Sequence, residues 1–351
     1  MKTTNKTSVL NTKVPLIQVI IFTTALSVLI YFIAKNTANG NEPSATLISK
    51  DKNESQVIEC NPRLNVIRNH DFNLTRPFIL ADLPVESPTL KPVGIKIDEL
   101  IKTKIEAGKL LSASVYLRTF NDGQWLNVNP NETFMPGSMI KVAIMITYLK
   151  MAEKYPDILN KSLKFEGRQN GVPNQTYEPS ALVNGKSYTV KELLYYAIVE
   201  SDNDATALLN KQVDVSAFVK LFTDIGLIAP NVTDRKFQMK ASEYARFFRI
   251  LYNSTYLKPE YSEFALQLLT ESTFNKGIVK DLPTDLKIAH KFGEGSFPDL
   301  KQLHETAIIY LDNMPYLVCI MTKGLDDKLL PETISDISSL VYNELSKKAP
   351  L

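Results

Sequence analysis

The chain has 351 residues, 44% of them hydrophobic. That is enough apolar material for one large domain with appendages, and it excludes a fibrous repeat or a disordered polymer. Forty basic residues face 38 acidic ones, a formal net charge of +2, so there is no electrostatic footprint for a nucleic acid. Two cysteines, Cys60 and Cys319, and three histidines, His70, His290 and His304, stand in no metal-ligand spacing, so no metal or other cofactor is expected.

Residues 1 to 13 contain Lys2, Lys6 and Lys13 and no acid. Val14 to Ala34 then runs 21 residues without a charge, and as a helix rising about 1.5 Å per residue it would span about 31 Å, one bilayer core. A cleaved signal peptide is the competing reading, but the run is longer than an ordinary h-region and no small-x-small cleavage site follows it. The lysines before the span predict a cytoplasmic tail over 1–13, a transmembrane helix over 14–34 and an extracytoplasmic remainder, a single-pass protein of the cell membrane.

Residues 35–92 form the predicted connection. Asn36 to Glu59 is rich in Asn, Ser, Lys and Glu and reads as a flexible tether. Prolines at 62, 77, 84, 88 and 92 predict an extended segment laid over a folded body, because proline blocks helix and central strand alike. Residues 93–351 form the predicted domain. Ile95 to Ala107 has helical spacing, and Ser112 to Phe120 alternates as a strand before a turn at Asn121-Asp122-Gly123 and a second strand, Gln124 to Val128. Thr189 and Glu192 make a capping box ahead of Leu193, Leu194 and Ala197, and amphipathic helices follow at Ala241 to Tyr252 and Tyr261 to Glu271. Leu286 to Phe292, Thr306 to Leu311 and Tyr316 to Thr322 read as strands, and Glu332 to Lys347 as a closing helix. Strands at both ends of a helical centre imply an α+β fold: one antiparallel sheet flanked by helices, plus an all-helical lobe. Cys319, inside an apolar run, reads as a buried thiol; whether it pairs with Cys60 is left open by sequence.

Three short motifs carry chemistry. Pro136-Gly137-Ser138-Met139-Ile140-Lys141 opens an apolar helix, which puts Ser138 at its N-terminus and Lys141 one turn later on the same face. The helix dipole favours an alkoxide there, and a desolvated lysine can take its proton. Ser-x-x-Lys alone also fits a capping serine with a solvated lysine, and Ser49-Lys50-Asp51-Lys52 repeats the spacing with no apolar helix behind it. Ser201-Asp202-Asn203 follows a helix over Lys191 to Glu200, where a plain capping turn is the bland reading. His290-Lys291-Phe292-Gly293-Glu294-Gly295 lies on a predicted strand.

In this order the three motifs resemble the signature of class A β-lactamases and penicillin-binding proteins, Ser-x-x-Lys, Ser-Asp-Asn and Lys-[Thr/Ser]-Gly. The resemblance runs from about Val93 to Leu351, and His290 before the strand lysine is similar to one branch of these serine hydrolases. It implies that Ser138 attacks the substrate carbonyl, Lys141 takes its proton and Ser201 relays a proton to the leaving nitrogen. Asn203 would bind the substrate amide or hold Lys141, and Lys291 would attract a substrate carboxylate. Gly293 would let the strand approach closely, so that the backbone N–H groups of Ser138 and Glu294 form an oxyanion hole.

The chain departs from that pattern in three places. Phe292 replaces the hydroxyl residue of Lys-[Thr/Ser]-Gly, and no arginine occurs on the last strands to assist Lys291. The interval Leu221 to Lys240, where class A β-lactamases carry an Ω-loop glutamate that activates the deacylating water, holds only Asp224 and Asp234 as acids. Acylation survives that loss, whereas fast hydrolysis of the acyl-enzyme is not expected. The expected partners are therefore β-lactams or D-alanyl peptidoglycan peptides, and the membrane. The alternative is a tethered cell-wall binding or sensing module that keeps the fold and acylates slowly or not at all.

Overall fold

The computed structural model describes residues 64–348 apart from 170–171, 173–176, 178–181, 231–236 and 298. A hairpin comes first, β1 (Asn65–Arg68) against β2 (Phe78–Asp82). The extended segment expected over 61–92 thus contains a strand pair, and Ile79 and Leu80 enter the core. Two guanidiniums fasten its end: Arg118 Nη1 lies 2.7 Å and Arg249 Nη2 2.8 Å from Asp82 Oδ1. The helix expected from Ile95 begins earlier, as α1 (Lys91–Glu106), with Pro92 inside its first turn. Proline suits that position because its absent N–H would have no intrahelical partner.

β3 (Ser112–Thr119) and β4 (Trp125–Val128) follow, then a 3₁₀ turn (Gly137–Ile140) that runs into α2 (Lys141–Ala152). Ten of the twelve α2 residues are buried, as expected of a helix apolar on every side. A small hairpin, β5 (Ser162–Lys164) with β6 (Ser187–Thr189), precedes α3 (Val190–Ile198). The capping box there is complete, with Glu192 N donating to Thr189 Oγ1 at 3.1 Å and Thr189 N to Glu192 Oε2 at 2.7 Å.

Next come α4 (Asn203–Asn210), α5 (Val215–Asp224), α6 (Ala241–Tyr252) and α7 (Pro259–Thr270). The interval Leu221 to Lys240 opens inside α5: its first four residues are the last turn of a helix capped by Asp214 and buried through Phe218, Leu221 and Phe222. Three strands, β7 (Ile288–Phe297), β8 (Leu300–Ile309) and β9 (Tyr316–Gly324), and a final helix, α8 (Leu330–Ser346), complete the chain.

Strands β3, β4, β7, β8 and β9 form one antiparallel sheet in the order β4-β3-β9-β8-β7. Alternation along β9 shows how it is covered. Leu317, Cys319 and Met321 join the core shared with α2, α3 and α6, while Tyr316, Val318 and Ile320 join α1 and α8 on the opposite face. A central strand buried on both faces reads as a continuous apolar run rather than an alternating one. β4 and β7 are the edge strands, and β7 meets the 3₁₀ turn at the head of α2.

Among the described residues no helix is long and apolar enough to cross a membrane. The span expected over Val14 to Ala34, the tether and Cys60 lie outside them. Cys319 is a buried free thiol, and burial pushes its pKa up to about 12.

Candidate active site

Glycine decides the first contact of the site. Gly137 has φ +54°, a left-handed conformation, and a Cβ on it would run into the backbone of Glu294. A Cβ on Gly293 would stand 2.7 Å from Met139 N and 2.8 Å from Met139 Cγ. The 3₁₀ turn and the edge strand therefore meet backbone to backbone, which only residues without side chains permit. Met139 pins the turn from below, since Tyr244 Oη donates to its carbonyl at 2.8 Å and Thr306 Oγ1 reaches its sulfur at 3.8 Å. Half-buried Ser138 stands between these fixed points.

Lys141 begins α2 one turn on, with its side chain buried. Its Nζ donates to the carbonyl of Ser201 and, at 2.7 Å, to Asn203 Oδ1; Ser201 Oγ lies 3.4 Å away. Burial lowers the Lys141 pKa to about 7, against the opposing pull of Asp202 and Glu294. The charged form loses its hydration inside the protein and, among the described residues, gains no directly bonded carboxylate in exchange. A neutral amine has two N–H groups and one lone pair. With the Ser201 carbonyl and the Asn203 amide oxygen each taking an N–H, the lone pair is left to accept a proton.

The Ser201-Asp202-Asn203 turn is built to present these atoms. Asp202 is the N-cap of α4 and accepts from Ala205 N at 2.8 Å. Ser201 has φ +53°, a conformation costing a non-glycine residue on the order of 1 kcal/mol. The strain directs its carbonyl to Lys141 while its hydroxyl accepts from Lys291 Nζ at 2.8 Å. Lys291 is wholly buried. Ser201, Asn203, Lys141 and Lys291 thus form one hydrogen-bonded cluster, and Gly293 and Glu294 on β7 abut the 3₁₀ turn that carries Ser138.

Three features escaped the sequence. Arg168 grips the carboxylate of buried Asp204, with Nη2 3.0 Å from Oδ2 and Nε 3.1 Å from the same oxygen. Phe292 packs on Phe274, ring centroids 4.1 Å apart, with the edge of Tyr177 toward both rings. The residue standing where a hydroxyl was expected is thus a buried aromatic brace. Beneath it, His290 Nδ1 lies 2.7 Å from Glu305 Oε1, and Ile278 N donates to Glu305 Oε2 at 2.7 Å. His290 and Phe292 are two apart on one strand and so share a face, which the sequence showed; their partners come from distant segments, which it did not.

Replacing Glu305 by alanine would leave buried His290 and the Ile278 N–H without this acceptor, and a stability loss of about 3–5 kcal/mol is expected. Denaturant unfolding would measure it; a loss under about 1 kcal/mol, typical of an exposed pair, would show the couple to be solvated.

Among the described residues no group of three or more His, Cys, Asp or Glu side chains could hold a metal ion. What the cluster can do is acid–base work around a hydroxyl: one desolvated amine with a free lone pair, one buried hydroxyl–lysine pair, and backbone N–H groups at a tight turn.

A family model described as the β-lactamase enzyme family matches residues 96–345. Among solved structures, a PBP-A mutant in an acyl-enzyme complex with penicillin G superposes with a TM-score of 0.63 at 20% identity, over 76% of this chain and 100% of that one. A β-lactamase from Chitinophaga pinensis DSM 2588 gives 0.62 at 18% identity, covering 72% and 99%. Another, from Sphaerobacter thermophilus DSM 20745, gives 0.60 at 18%, covering 75% and 99%. At these identities the likeness is one of fold. No curated protein matches the chain.

Proposed function

The chain belongs to the β-lactamase enzyme family, and from that premise we propose that it is a penicillin-recognising serine hydrolase which forms an acyl-enzyme through Ser138. Its acyl donors are β-lactams or the D-alanyl peptides of peptidoglycan. The observation that carries this reading is the Lys141 amine, buried, lowered to a pKa of about 7 and bonded to two acceptors one helical turn from Ser138.

In the proposed cycle, neutral Lys141 takes the proton of Ser138 as Oγ attacks the carbonyl carbon. The N–H groups of Ser138 and Glu294 hold the oxyanion. Collapse breaks the C–N bond, and the Ser201 hydroxyl, which accepts from Lys291, gives its proton to the leaving nitrogen and is reprotonated from Lys141. Lys291 also draws the substrate carboxylate, and Asn203 divides its amide between Lys141 and the substrate. The domain works outside the cytoplasm, tethered to the cell membrane by Val14 to Ala34.

The second reading, a tethered cell-wall sensor that acylates slowly or not at all, draws on Phe292: no hydroxyl stands there to receive the carboxylate. Mass spectrometry of the full chain after exposure to a β-lactam separates the two. A stoichiometric mass increase equal to the whole antibiotic is expected for the enzyme, and an unchanged mass after prolonged exposure would refute it.

A further inference from the structure

Exposed apolar side chains are unevenly spread over this protein. Sixteen large ones are exposed among the described residues, and five of them, Leu64, Val66, Phe72, Leu74 and Phe78, fall in or beside the β1–β2 hairpin. Three more, Val215, Val219 and Ile228, lie on α5 or just after it. The two segments are joined. Lys220 Nζ is 2.8 Å from Asp71 Oδ1, and Ile67 Cδ1 lies 3.0 Å from where a Cβ on Gly226 would stand. Half of the exposed large apolar residues thus share one neighbourhood, whereas single exposed residues scattered over a surface need no explanation.

The tip of the hairpin is the extreme case. Leu74 is 98% exposed and Phe72 52%, so neither is folded back onto the body. Two arginines flank them. Arg76 Nη1 turns to the carbonyls of Phe72 and Thr75, and Arg68 Nη1 donates to Arg76 O at 2.9 Å. Among the described residues neither guanidinium pairs with a carboxylate. Asp71, the one acid from 64 to 81, is engaged by Lys220. The tip therefore offers apolar side chains inside a cationic collar.

We propose that this hairpin, with the adjoining end of α5, docks on an anionic bilayer surface: Phe72 and Leu74 enter the headgroup–acyl boundary and Arg68 and Arg76 meet lipid phosphates. Apolar side chains that reach the acyl region, and cations that stop at the headgroups, divide a membrane interface in this way. Chain length says which membrane. The hairpin is the first folded element described, and residues 35 to 63 separate it from the proposed span. Were those 29 residues a flexible coil, their r.m.s. length would be about 30 Å, which would keep the patch at high effective concentration beside the bilayer holding the proposed anchor. The inference rests on the membrane reading above and adds to it an orientation of the domain on the surface.

The test uses the full chain in vesicles of phosphatidylcholine and phosphatidylglycerol, some with brominated acyl chains. Leu74→Trp places a probe at the tip, Ile105→Trp places one on α1, and the unsubstituted chain supplies the background of Trp125. Flotation with the vesicles reports the anchor, and quenching reports the tip. The expected result is flotation of all three, loss of most of the added Leu74→Trp emission in brominated vesicles, and none for Ile105→Trp. Flotation with an unquenched tip overturns the docking and leaves the anchor standing. Absence of flotation overturns both. An unquenched tip whose emission shifts to the blue with protein concentration assigns the face to a second copy and likewise overturns the proposal.

Discussion

Replacement of Ser138 by alanine is expected to abolish covalent labelling by fluorescent penicillin, and replacement of Lys141 by methionine to slow it by about 10² to 10⁴, the usual contribution of a positioned general base. Ser49→Ala, with the same Ser-x-x-Lys spacing outside the described residues, should change nothing. The difference comes from surroundings rather than from the motif. Lys141 is buried, with the Ser201 carbonyl and Asn203 Oδ1 filling both N–H directions of a neutral amine. Its pKa of about 7, lowered by burial, fixes the pH dependence. Below pH 7 the ammonium has no lone pair, so the acylation rate should rise with pH through about 7 and level off above it.

Stability should follow the same sign. Between about 7 and the unfolded value of 10.5, the unfolded chain holds a proton that the folded chain lacks, so the contribution of Lys141 to stability improves as pH rises across that window. Labelling rates measured from pH 5 to 9 on the wild type and Lys141→Met check the assignment. Equal labelling of wild type and Ser138→Ala would remove Ser138 as nucleophile. A pH profile unchanged in Lys141→Met would remove Lys141 as base.

Turnover is where the second large effect is expected. Removing the acyl group requires a water held against the ester and deprotonated, and general-base help of that kind is worth about 10² to 10⁴ in rate. Residues 225–240 contain a single acid, Asp234, which lies outside the described residues. The described end of this stretch is tied down by other means: Phe134 and Met239 exchange backbone hydrogen bonds at 2.8 and 2.9 Å, and Thr133 Oγ1 donates to Gln238 Oε1 at 2.6 Å. A β-lactam hydrolysis trace should therefore show a burst equal to the enzyme followed by a much slower steady rate. A steady rate as fast as the burst would mean that another group activates the water, and Asp234→Asn would then be the variant to measure.

Much of the site was legible because each motif sits beside the local signal that shapes it. Ser138 and Lys141 head an apolar helix, Asp202 offers a capping carboxylate, and Gly293 marks a close backbone approach on a strand. All three depend on residues within a turn or two in sequence. Helix α5 was also written locally, in Asp214 and the spacing of Phe218, Leu221 and Phe222.

What no local pattern contains is which distant partner a buried group finds. Sequence by itself determined the α+β organisation, most of the strands and helices of the domain and the candidate reacting groups, since hydrophobic period and capping act over a few residues. Tertiary structure alone decided that Lys141 is stripped of water and bonded to Ser201 and Asn203, sixty residues away. It alone turned Phe292 from a missing hydroxyl into a brace on Phe274, closed His290 onto Glu305, and left the hairpin tip bare. The physical reason is common to all four. Burial is a property of the assembled chain, and the pKa of an amine, the cost of an unpaired carboxylate and the exposure of a leucine are each set by burial.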